Sequence, residues 1–204
     1  ERINIVGNNI TREEVIRNNL IVDEGDAYNK ILHAKSINNL KNLNFFRDVS
    51  SKVVDGTSQN KKIINISVEE KPTGEITAGA GVGTSGSTIG FSVKENNFLG
   101  KGIQFSTSLE LSEESIRGRF NVINPNFRGT DQVISAGLQS TEIDRMASYG
   151  YKTNKTGFNI GSQFEYYEDL FLAPSVTTYY ESLKTADSAS DNLKKQKGTY
   201  FDTD

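Results

Sequence analysis

From about Thr73 onward, apolar and polar side chains alternate in short segments that are separated by turn sequences. In the first of these segments, residues 75–83, the apolar residues all fall on one face: Ile76, Ala78, Ala80 and Val82. Successive side chains of a strand point to opposite faces of its sheet, so the pattern predicts a strand with one apolar side. A series of such strands fits either a soluble antiparallel sandwich or a membrane β-barrel, whose strands face lipid on one side and a polar lumen on the other.

The alternation predicts seven strands and the start of an eighth. They cover residues 75–83, 87–95, 102–111, 115–123, 132–142, 156–165, 170–182 and 196 onward. Each segment is about ten residues long, which is the length that a tilted membrane strand requires. Seventeen large apolar residues and one alanine are expected to point outward: Ile89, Phe91, Val93, Ile103, Phe105, Leu109, Ile116, Phe120, Val122, Ile134, Ala136, Leu138, Phe158, Ile160, Phe164, Leu172, Val176 and Tyr180.

The connections between these strands alternate in kind. Compact connections are expected near residues 96–102, 124–129 and 166–171, and long polar loops at 144–155 and 184–195. Short turns on one rim and longer loops on the other are typical of outer-membrane barrels. Aromatic residues of the compact connections would then form a belt at one membrane interface: Phe98, Phe127, Tyr166, Tyr167 and Phe171.

Composition excludes several classes of protein and of binding site. The chain has 204 residues, a net charge of -3 and no cysteine. A net negative charge does not produce the positive electrostatic field that attracts nucleic acid. Without cysteine, neither a disulfide nor a thiolate metal site is expected. No stretch is apolar enough for a membrane helix. We interpret the chain as an excised fragment with both ends missing.

Residues 1–71 predict a separate small α+β domain with the order β-α-α-β-β. A strand at Arg2–Val6 precedes a helix with a capping box, in which Thr11 would accept from the Glu14 N–H. Asp26 is expected to cap a second helix over residues 27–43. Strands at 45–54 and 62–68 complete the domain.

No catalytic set is evident, and we expect neither an enzyme nor a cofactor site. His33 is the only histidine, and with no second histidine or cysteine nearby it is expected to have a structural or solvent role rather than to bind metal. Neighbouring carboxylates such as Glu69 and Glu70 do not face each other on a strand, so they are interpreted as solvated charges or caps.

Two sets of motifs resemble a known family. Ile5-Val6-Gly7-Asn8 with Thr11, and the later segment Leu43–Val49, resemble a POTRA domain. The turn Asn96-Asn97-Phe98-Leu99-Gly100-Lys101-Gly102 and the later Asn124-Pro125-Asn126-Phe127 resemble the first short turns of barrels in the BamA/TamA superfamily, particularly its BamA-like assembly factors. Phe127-Arg128-Gly129 is not the family's Arg-Gly-Phe signature.

The resemblance implies a POTRA domain at residues 1–71 and the first half of a transmembrane barrel at 72–204. It implies assembly and insertion of β-barrel proteins into the outer membrane, with the POTRA domain in the periplasm. Unfolded outer-membrane protein clients, accessory lipoproteins and outer-membrane lipid are the implied partners. A secretion pore of the same superfamily and a passive pore or surface-binding barrel are alternatives.

Two strand edges are candidate binding sites, because an unpaired edge exposes N–H and C=O groups to an incoming strand. The first is the glycine-rich first barrel strand: Glu75, Ile76, Thr77, Ala78, Gly79, Ala80, Gly81, Val82 and Gly83. The second is in the POTRA domain: Phe45, Phe46, Arg47, Asp48, Val49, Ser50, Ser51, Lys52 and Val53. Two interpretations of Gly79, Gly81 and Gly83 stay open: small residues give room inside the lumen, or they make a weak strand that opens readily. For the POTRA strand, a plain scaffold role is the alternative.

Overall fold

The computed structural model describes residues 2–58, 61–83 and 86–203. Glu1 and Asp204, the outer limits of the two predicted domains, lie outside the described residues. The chain divides into two compact units. The first comprises Glu1–Gly74, Asn96–Ile103 and Arg128–Thr130, and the second comprises Glu75–Glu95, Gln104–Phe127 and Asp131–Asp204. The predicted boundary between residues 71 and 72 stays a prediction.

The first unit contains the predicted β-α-α-β-β order. Its elements are β1 (Arg2–Val6), α1 (Glu13–Arg17), α2 (Lys30–Asn42), β2 (Phe46–Asp55) and β3 (Lys62–Glu70). The sheet has the order β1-β3-β2, with β1 parallel and β2 antiparallel to β3. Both β1 and β2 are therefore edge strands of this sheet.

One apolar core holds the first unit together. Ile16 and Leu40, one from each helix, are fully buried, and Ile66 of the central strand is 1% exposed. Phe45 and Phe46 join the same cluster, where their rings meet edge to face with centroids 6.2 Å apart. The helices therefore pack on one face of the sheet through side chains at helical and strand spacing.

The predicted capping box at Thr11 is wrong. The residue before α1 is Arg12, and no side chain caps this helix. Thr11 is instead buried, and its main-chain N–H donates to the Glu70 carboxylate at 2.6 Å. The same carboxylate accepts from the N–H groups of Asn9 and Ile10, both at 2.9 Å. Glu70 thus takes up loop N–H groups from the far end of β3, a partner that local sequence spacing does not reveal.

The second helix also begins later than predicted. Asn29, not Asp26, is its cap, and the Asn29 Oδ1 accepts from the N–H groups of Ile31 and Leu32. Asp26 lies in the preceding turn, where its carboxylate accepts from the Asp23 N–H at 3.0 Å. Asparagine and aspartate are about equally good caps, so residue type alone does not distinguish Asn29 from Asp26.

The second unit is built on one antiparallel sheet. Its strands are β4 (Gly74–Gly83), β5 (Gly86–Phe98), β6 (Ile103–Ser112), β7 (Ser115–Asn124), β8 (Val133–Arg145), β9 (Tyr151–Tyr167), β10 (Leu170–Leu172), β11 (Ser175–Thr185) and β12 (Gly198–Thr203). The order is β12-β11-β9-β8-β7-β6-β5-β4, with the short β10 paired to β9. None of the helices in the described residues is long and apolar enough to cross a membrane.

The strand register places the predicted outward residues of β6 to β11 on a single face. Phe105, Val122, Ala136, Ile160 and Val176 lie directly opposite one another in a row across successive strands. Residues paired in this way point to the same side of a sheet. Many of these side chains are exposed rather than packed in a core; Leu138, for example, is 53% exposed. A single sheet with an exposed apolar face favours the barrel over the sandwich.

The predicted polar loop at residues 144–155 is wrong. Strand β8 continues to Arg145, the one-turn helix α3 covers Met146–Tyr149, and β9 begins at Tyr151. Polar residues extend these strands because neighbouring charges pair across them. Lys152 Nζ lies 2.7 Å from a Glu142 carboxylate oxygen and 3.2 Å from one of Asp144. The other predicted loop, at 184–195, contains the short helix α4 (Asp191–Lys195).

Truncating Leu40 tests the core of the first unit. We expect Leu40→Ala to lower the free energy of unfolding of this unit by about 2–5 kcal/mol, because it leaves a cavity at a fully buried position. Ile31→Ala on the same helix is the matched control, since Ile31 is 69% exposed. Denaturant unfolding followed by a probe in this unit measures both, and equal effects would contradict this assignment of the core.

Candidate functional site

Strand β4, the first strand of the large sheet, lies at an edge of that sheet in the described residues. Within the part of the chain that the structure describes, β4 is the last strand of the order and pairs with β5 on one side only. Every residue from Gly74 to Gly83 is exposed. Its apolar face is also uncovered in this chain, with Ile76 72% and Val82 89% exposed. The strand therefore offers both an unpaired backbone edge and an apolar face to another strand or to lipid.

The three glycines of β4 are not required by packing within the chain. A Cβ added to Gly79, Gly81 or Gly83 would meet no atom of the described residues within 4 Å. Glycines elsewhere in the sheet differ. A Cβ on Gly137 would crowd the side-chain oxygens of Asn121 and Asn159. Open space beside Gly79, Gly81 and Gly83 agrees with both interpretations, room inside the lumen and a weak strand, so both stay predictions.

The face opposite the apolar one is polar and partly concave beside β4. A cavity of about 450 Å³ is lined by Thr77, Gly79 and Gly81 of β4 together with Glu110, Arg117 and Arg119. Arg117 pairs with Glu110 at 3.2 Å. Farther along this face, Gln139 donates to the Tyr179 hydroxyl at 3.1 Å. A polar surface of this kind suits a water-filled lumen.

The apolar face ends in charged residues toward one end of β8 and β9. Following Leu138 on the same face, Ser140 bonds to the Thr156 hydroxyl at 3.0 Å. The next residue on that face is Glu142, which pairs with Lys152. An apolar band that gives way to paired charges is the pattern expected where a strand leaves hydrocarbon and enters water.

The two edges of the POTRA-like sheet are not equivalent. On β1, the Ile3 N–H donates to Glu24 Oε1 at 3.0 Å, and the Ile3 carbonyl accepts from Arg17 Nη2 at 3.1 Å. Arg17 and Glu24 also pair with each other at 3.4 Å. The Ile3 N–H, together with Arg17, holds the pKa of Glu24 below its usual value. Side chains therefore occupy the outer edge of β1 at Ile3.

Strand β2 has no such cover among the described residues, in which its backbone ladder runs only to β3. Arg47, Asp48, Ser50, Ser51 and Lys52 are exposed. Phe45, Phe46 and Val49, however, are core residues. Phe45 also precedes the strand, and its carbonyl accepts from the Lys71 N–H at 3.0 Å. The predicted edge is thus open from Arg47 onward, whereas Phe45 belongs to the core.

His33 contacts the β2 strand from α2. Its Nε2 lies 2.9 Å from the Ser51 hydroxyl oxygen. Burial lowers the pKa of His33, which favours the neutral ring. A neutral imidazole bonded to a neighbouring hydroxyl agrees with the structural role expected for this residue.

The five predicted rim aromatics lie in or beside the connections at one end of the strands, because antiparallel connections alternate between the two ends of a sheet. Phe98, Tyr166, Tyr167 and Phe171 are exposed, and Phe127 is half-buried. The connection at residues 166–171 is a hairpin in which β10 pairs back onto β9. Their role as a membrane belt stays a prediction.

Sequence reasoning missed the side chains that cover the edge of β1 and those that bond the loop before α1. Arg17 and Glu24 are far from Ile3 along the chain. Asn97 is 5% exposed and donates to the Thr11 hydroxyl across 86 positions of sequence. Since no local pattern marks such pairs, only the fold could reveal them.

Comparison with known protein families shows the superfamily to which the chain belongs. A POTRA model, described as a surface antigen variable number repeat, matches residues 1–71. The Omp85 superfamily domain matches residues 97–204. The latter covers more than half of the chain, so the protein belongs to the Omp85 superfamily.

Individual relatives and solved structures show which members of the superfamily the chain resembles. The outer membrane protein assembly factor BamA of Neorickettsia risticii (strain Illinois) is 28% identical over 204 residues, which cover 97% of this chain and 27% of that protein. The crystal structure of BamA from Haemophilus ducreyi lacking POTRA domains 1-3 matches with a TM-score of 0.80 at 17% identity, over 100% of this chain and 42% of that one. CdiB from Acinetobacter baumannii matches with a TM-score of 0.56 at 14% identity, over 95% of this chain and 39% of that one. The chain is thus BamA-like in sequence and fold, and it spans about a quarter of the length of this curated relative.

Filling the space beside one glycine tests whether β4 is intrinsically weak. We expect Gly81→Val to slow hydrogen exchange in residues 74–83, because a side chain fits there and valine favours strands, whereas glycine costs a strand about 0.5–1 kcal/mol. Exchange followed by mass spectrometry measures the change. Gly137→Val is the control that should slow exchange less in its own strand, because its side chain would first have to displace those of Asn121 and Asn159. Unchanged exchange in Gly81→Val would show that glycine does not set the strength of β4.

Proposed function

We propose that this chain takes part in assembly and insertion of β-barrel proteins into the outer membrane, and that β4 receives the client strand. The observation that carries the proposal is the state of β4. It is an edge strand whose ten residues, Gly74–Gly83, are all exposed. The likeness to BamA in sequence and fold supports the process.

Backbone pairing explains how such a site would accept many clients. The N–H and C=O groups on the free side of an edge strand can bond to any incoming strand, whatever its side chains. The apolar face of β4, with Ala78 and Ala80 between Ile76 and Val82, continues the alternation that a client strand also needs in lipid. Free energy for insertion would come from the client, as it buries its apolar face in hydrocarbon and closes its own hydrogen bonds. The proposal requires no cofactor and no enzymatic step.

The glycines would keep this edge exchangeable. A strand that paired too tightly with its own closing partner would not open for a client. Gly79, Gly81 and Gly83 reduce strand stability without filling space that another described residue needs. Reversible pairing at this position is therefore consistent with a site that must be freed after each client.

The POTRA-like domain would guide clients through the open edge of β2. Its other edge is covered at Ile3 by Arg17 and Glu24, so an incoming extended segment would find free backbone groups on β2. Accessory lipoproteins and outer-membrane lipid complete the proposed partners. The proposed location is the outer membrane, with the POTRA domain in the periplasm.

Client crosslinking tests β4 directly. A photo-crosslinking residue is placed in turn at each position from Glu75 to Gly83 of the full-length protein while a barrel client assembles. We expect crosslinks to the client's terminal strand with a two-residue periodicity, because alternate side chains of a paired strand face the same side. Crosslinks only to the protein's own last strand would indicate a closed barrel and favour the secretion or passive-pore alternatives.

Proline substitution provides the control for backbone pairing. Gly79→Pro and Ala80→Pro each alter the ladder, because proline has no N–H and a fixed φ. Since adjacent residues direct their N–H groups to opposite sides of a strand, one of the two affects the free edge and the other the pairing with β5. Client assembly that survives both substitutions would contradict templating by β4.

The same crosslinking approach tests the POTRA edge. Positions Ser50 and Lys52 on β2 are expected to crosslink an unfolded client, whereas Asn4 and Val6 on the partly covered β1 are expected to crosslink it at least about fivefold less. Glu24→Ala is expected to narrow this difference, because it removes the acceptor at the Ile3 N–H. Equal crosslinking from both strands in the unaltered protein would instead favour a plain scaffold role for β2.

A further inference from the structure

The turn that joins β5 to β6 belongs to the first compact unit, together with the loop before α1. The Arg12 N–H donates to the Gly100 carbonyl at 2.8 Å, a main-chain bond between this loop and the turn. Gly100 and Gly102 are both buried in this contact. The turn is therefore a packed part of the POTRA-like unit rather than a free hairpin end.

A buried amide strengthens the same contact. Asn97 Nδ2 donates to the Thr11 hydroxyl oxygen at 2.9 Å, while Asn97 Oδ1 accepts from the Gly102 N–H at 2.8 Å. Thr11 is 2% and Asn97 5% exposed. One side chain thus fixes the shape of the turn and also attaches it to the loop. Loss of either partner would leave a buried polar group unpaired, which is costly.

Glu70 extends the network to the end of β3. Its carboxylate accepts the N–H groups of Asn9, Ile10 and Thr11, as described above, and a bond from the Thr11 side chain adds to these. Burial alone would raise the pKa of Glu70, but these hydrogen bonds together hold it below its usual value. A continuous path of hydrogen bonds therefore runs from Glu70 through Thr11 to Asn97.

Only glycine fits at the centre of the contact. Gly100 has a φ of +69°, and a Cβ there would overlap the Ile10 carbonyl oxygen and lie 2.8 Å from its carbon. Gly129 has a similar φ of +74° but open space around it. The two glycines share the same backbone strain on substitution, and only Gly100 adds a steric clash with the loop.

The turn also holds the residue that precedes β4. The main-chain N–H of Asn96 and its Nδ2 both donate to the Thr73 carbonyl, at 3.3 and 3.2 Å. Thr73 is followed directly by Gly74, the first residue of β4. The turn is thus bonded to the loop before α1 through Asn97 and Gly100. It is also bonded through Asn96 to Thr73, the residue that precedes β4.

We propose that this turn is a latch, comprising Asn96–Gly102 with its partners Thr11, Arg12 and Thr73, through which the POTRA-like domain positions the start of β4. This inference rests on the proposed function, in which β4 receives the client. Asn97 and Thr11 are then positioning residues for the client edge. The latch fixes one end of a strand whose remaining residues are glycine-rich and exposed, so β4 opens from its other end while its register at Gly74 is kept.

Hydrogen exchange in the full-length protein tests the latch. Thr11→Val keeps the side-chain volume but removes the hydroxyl, and Gly100→Ala adds the clash. Both variants are expected to speed exchange at least about fivefold in residues 9–16 and 96–103, and also in 74–83, because unpaired buried groups favour the open state. Thr11→Ser and Gly129→Ala are the matched controls. Thr11→Ser retains the hydroxyl. Gly129→Ala introduces the same backbone strain as Gly100→Ala but no clash with the loop. Both controls should leave exchange in residues 74–83 unchanged.

The readouts separate the latch from the proposed function. Faster exchange in 9–16 and 96–103 without any change in 74–83 would overturn the latch, because the turn would then stabilise only the first unit. Faster exchange in 74–83 in both controls as well would also overturn it. Coupled exchange in the two variants supports the latch even if β4 yields no client crosslinks, and in that case only the function proposed for β4 fails.

Discussion

Backbone hydrogen bonding between strands is the constraint on which the larger unit depends. The sheet has no second layer in the described residues, so its side chains do not form a conventional core, and the ladder from β4 to β12 fixes the position of each strand. Once that register is set, Phe105, Val122 and Ala136 fall in one row and the polar residues fall on the other face. A slip by one residue would move the apolar set to the polar side. The apolar face, the polar face and the free edge are therefore consequences of the same pairing.

Different interactions stabilise the two units. The POTRA-like unit buries Ile16, Leu40 and Ile66 in a compact core between helices and sheet. The large sheet leaves its apolar side chains exposed within this chain, as expected for side chains whose solvent is lipid. Strand β4 has neither form of support among the described residues, since it has no second ladder partner there and carries three glycines with open space around them. Local opening is expected to concentrate where packing and pairing are both sparse.

Local sequence rules predicted the elements well and their polar contacts poorly. The order β-α-α-β-β and most strands of the second segment follow from periods of 3.6 and 2, which are properties of neighbouring residues. The strand predicted at 170–182 is wrong, because this segment forms the short β10, which pairs with β9, and the separate strand β11. Thr11 shows where such rules fail. Its spacing to Glu14 fits a capping box, but the fold supplies Asn97 as a donor to its hydroxyl and Glu70 as an acceptor for its N–H. In the same way, Lys152 with Glu142 and Asp144 extends two strands through a segment whose polarity suggested a loop.

The sequence by itself determined which faces are apolar and where most of the strands lie, because alternation and residue size act over a few positions. It also carried the motifs by which the POTRA-like domain and the barrel turns were identified. Only the tertiary structure decided that β1 is covered by Arg17 and Glu24 while β2 is open. Only the tertiary structure showed that one turn bonds through Asn96 to Thr73, just before β4, and through Asn97 to Thr11 in the loop before α1. The physical reason is that hydrogen bonds between residues distant in sequence depend on the folded positions of both partners, which no short pattern encodes.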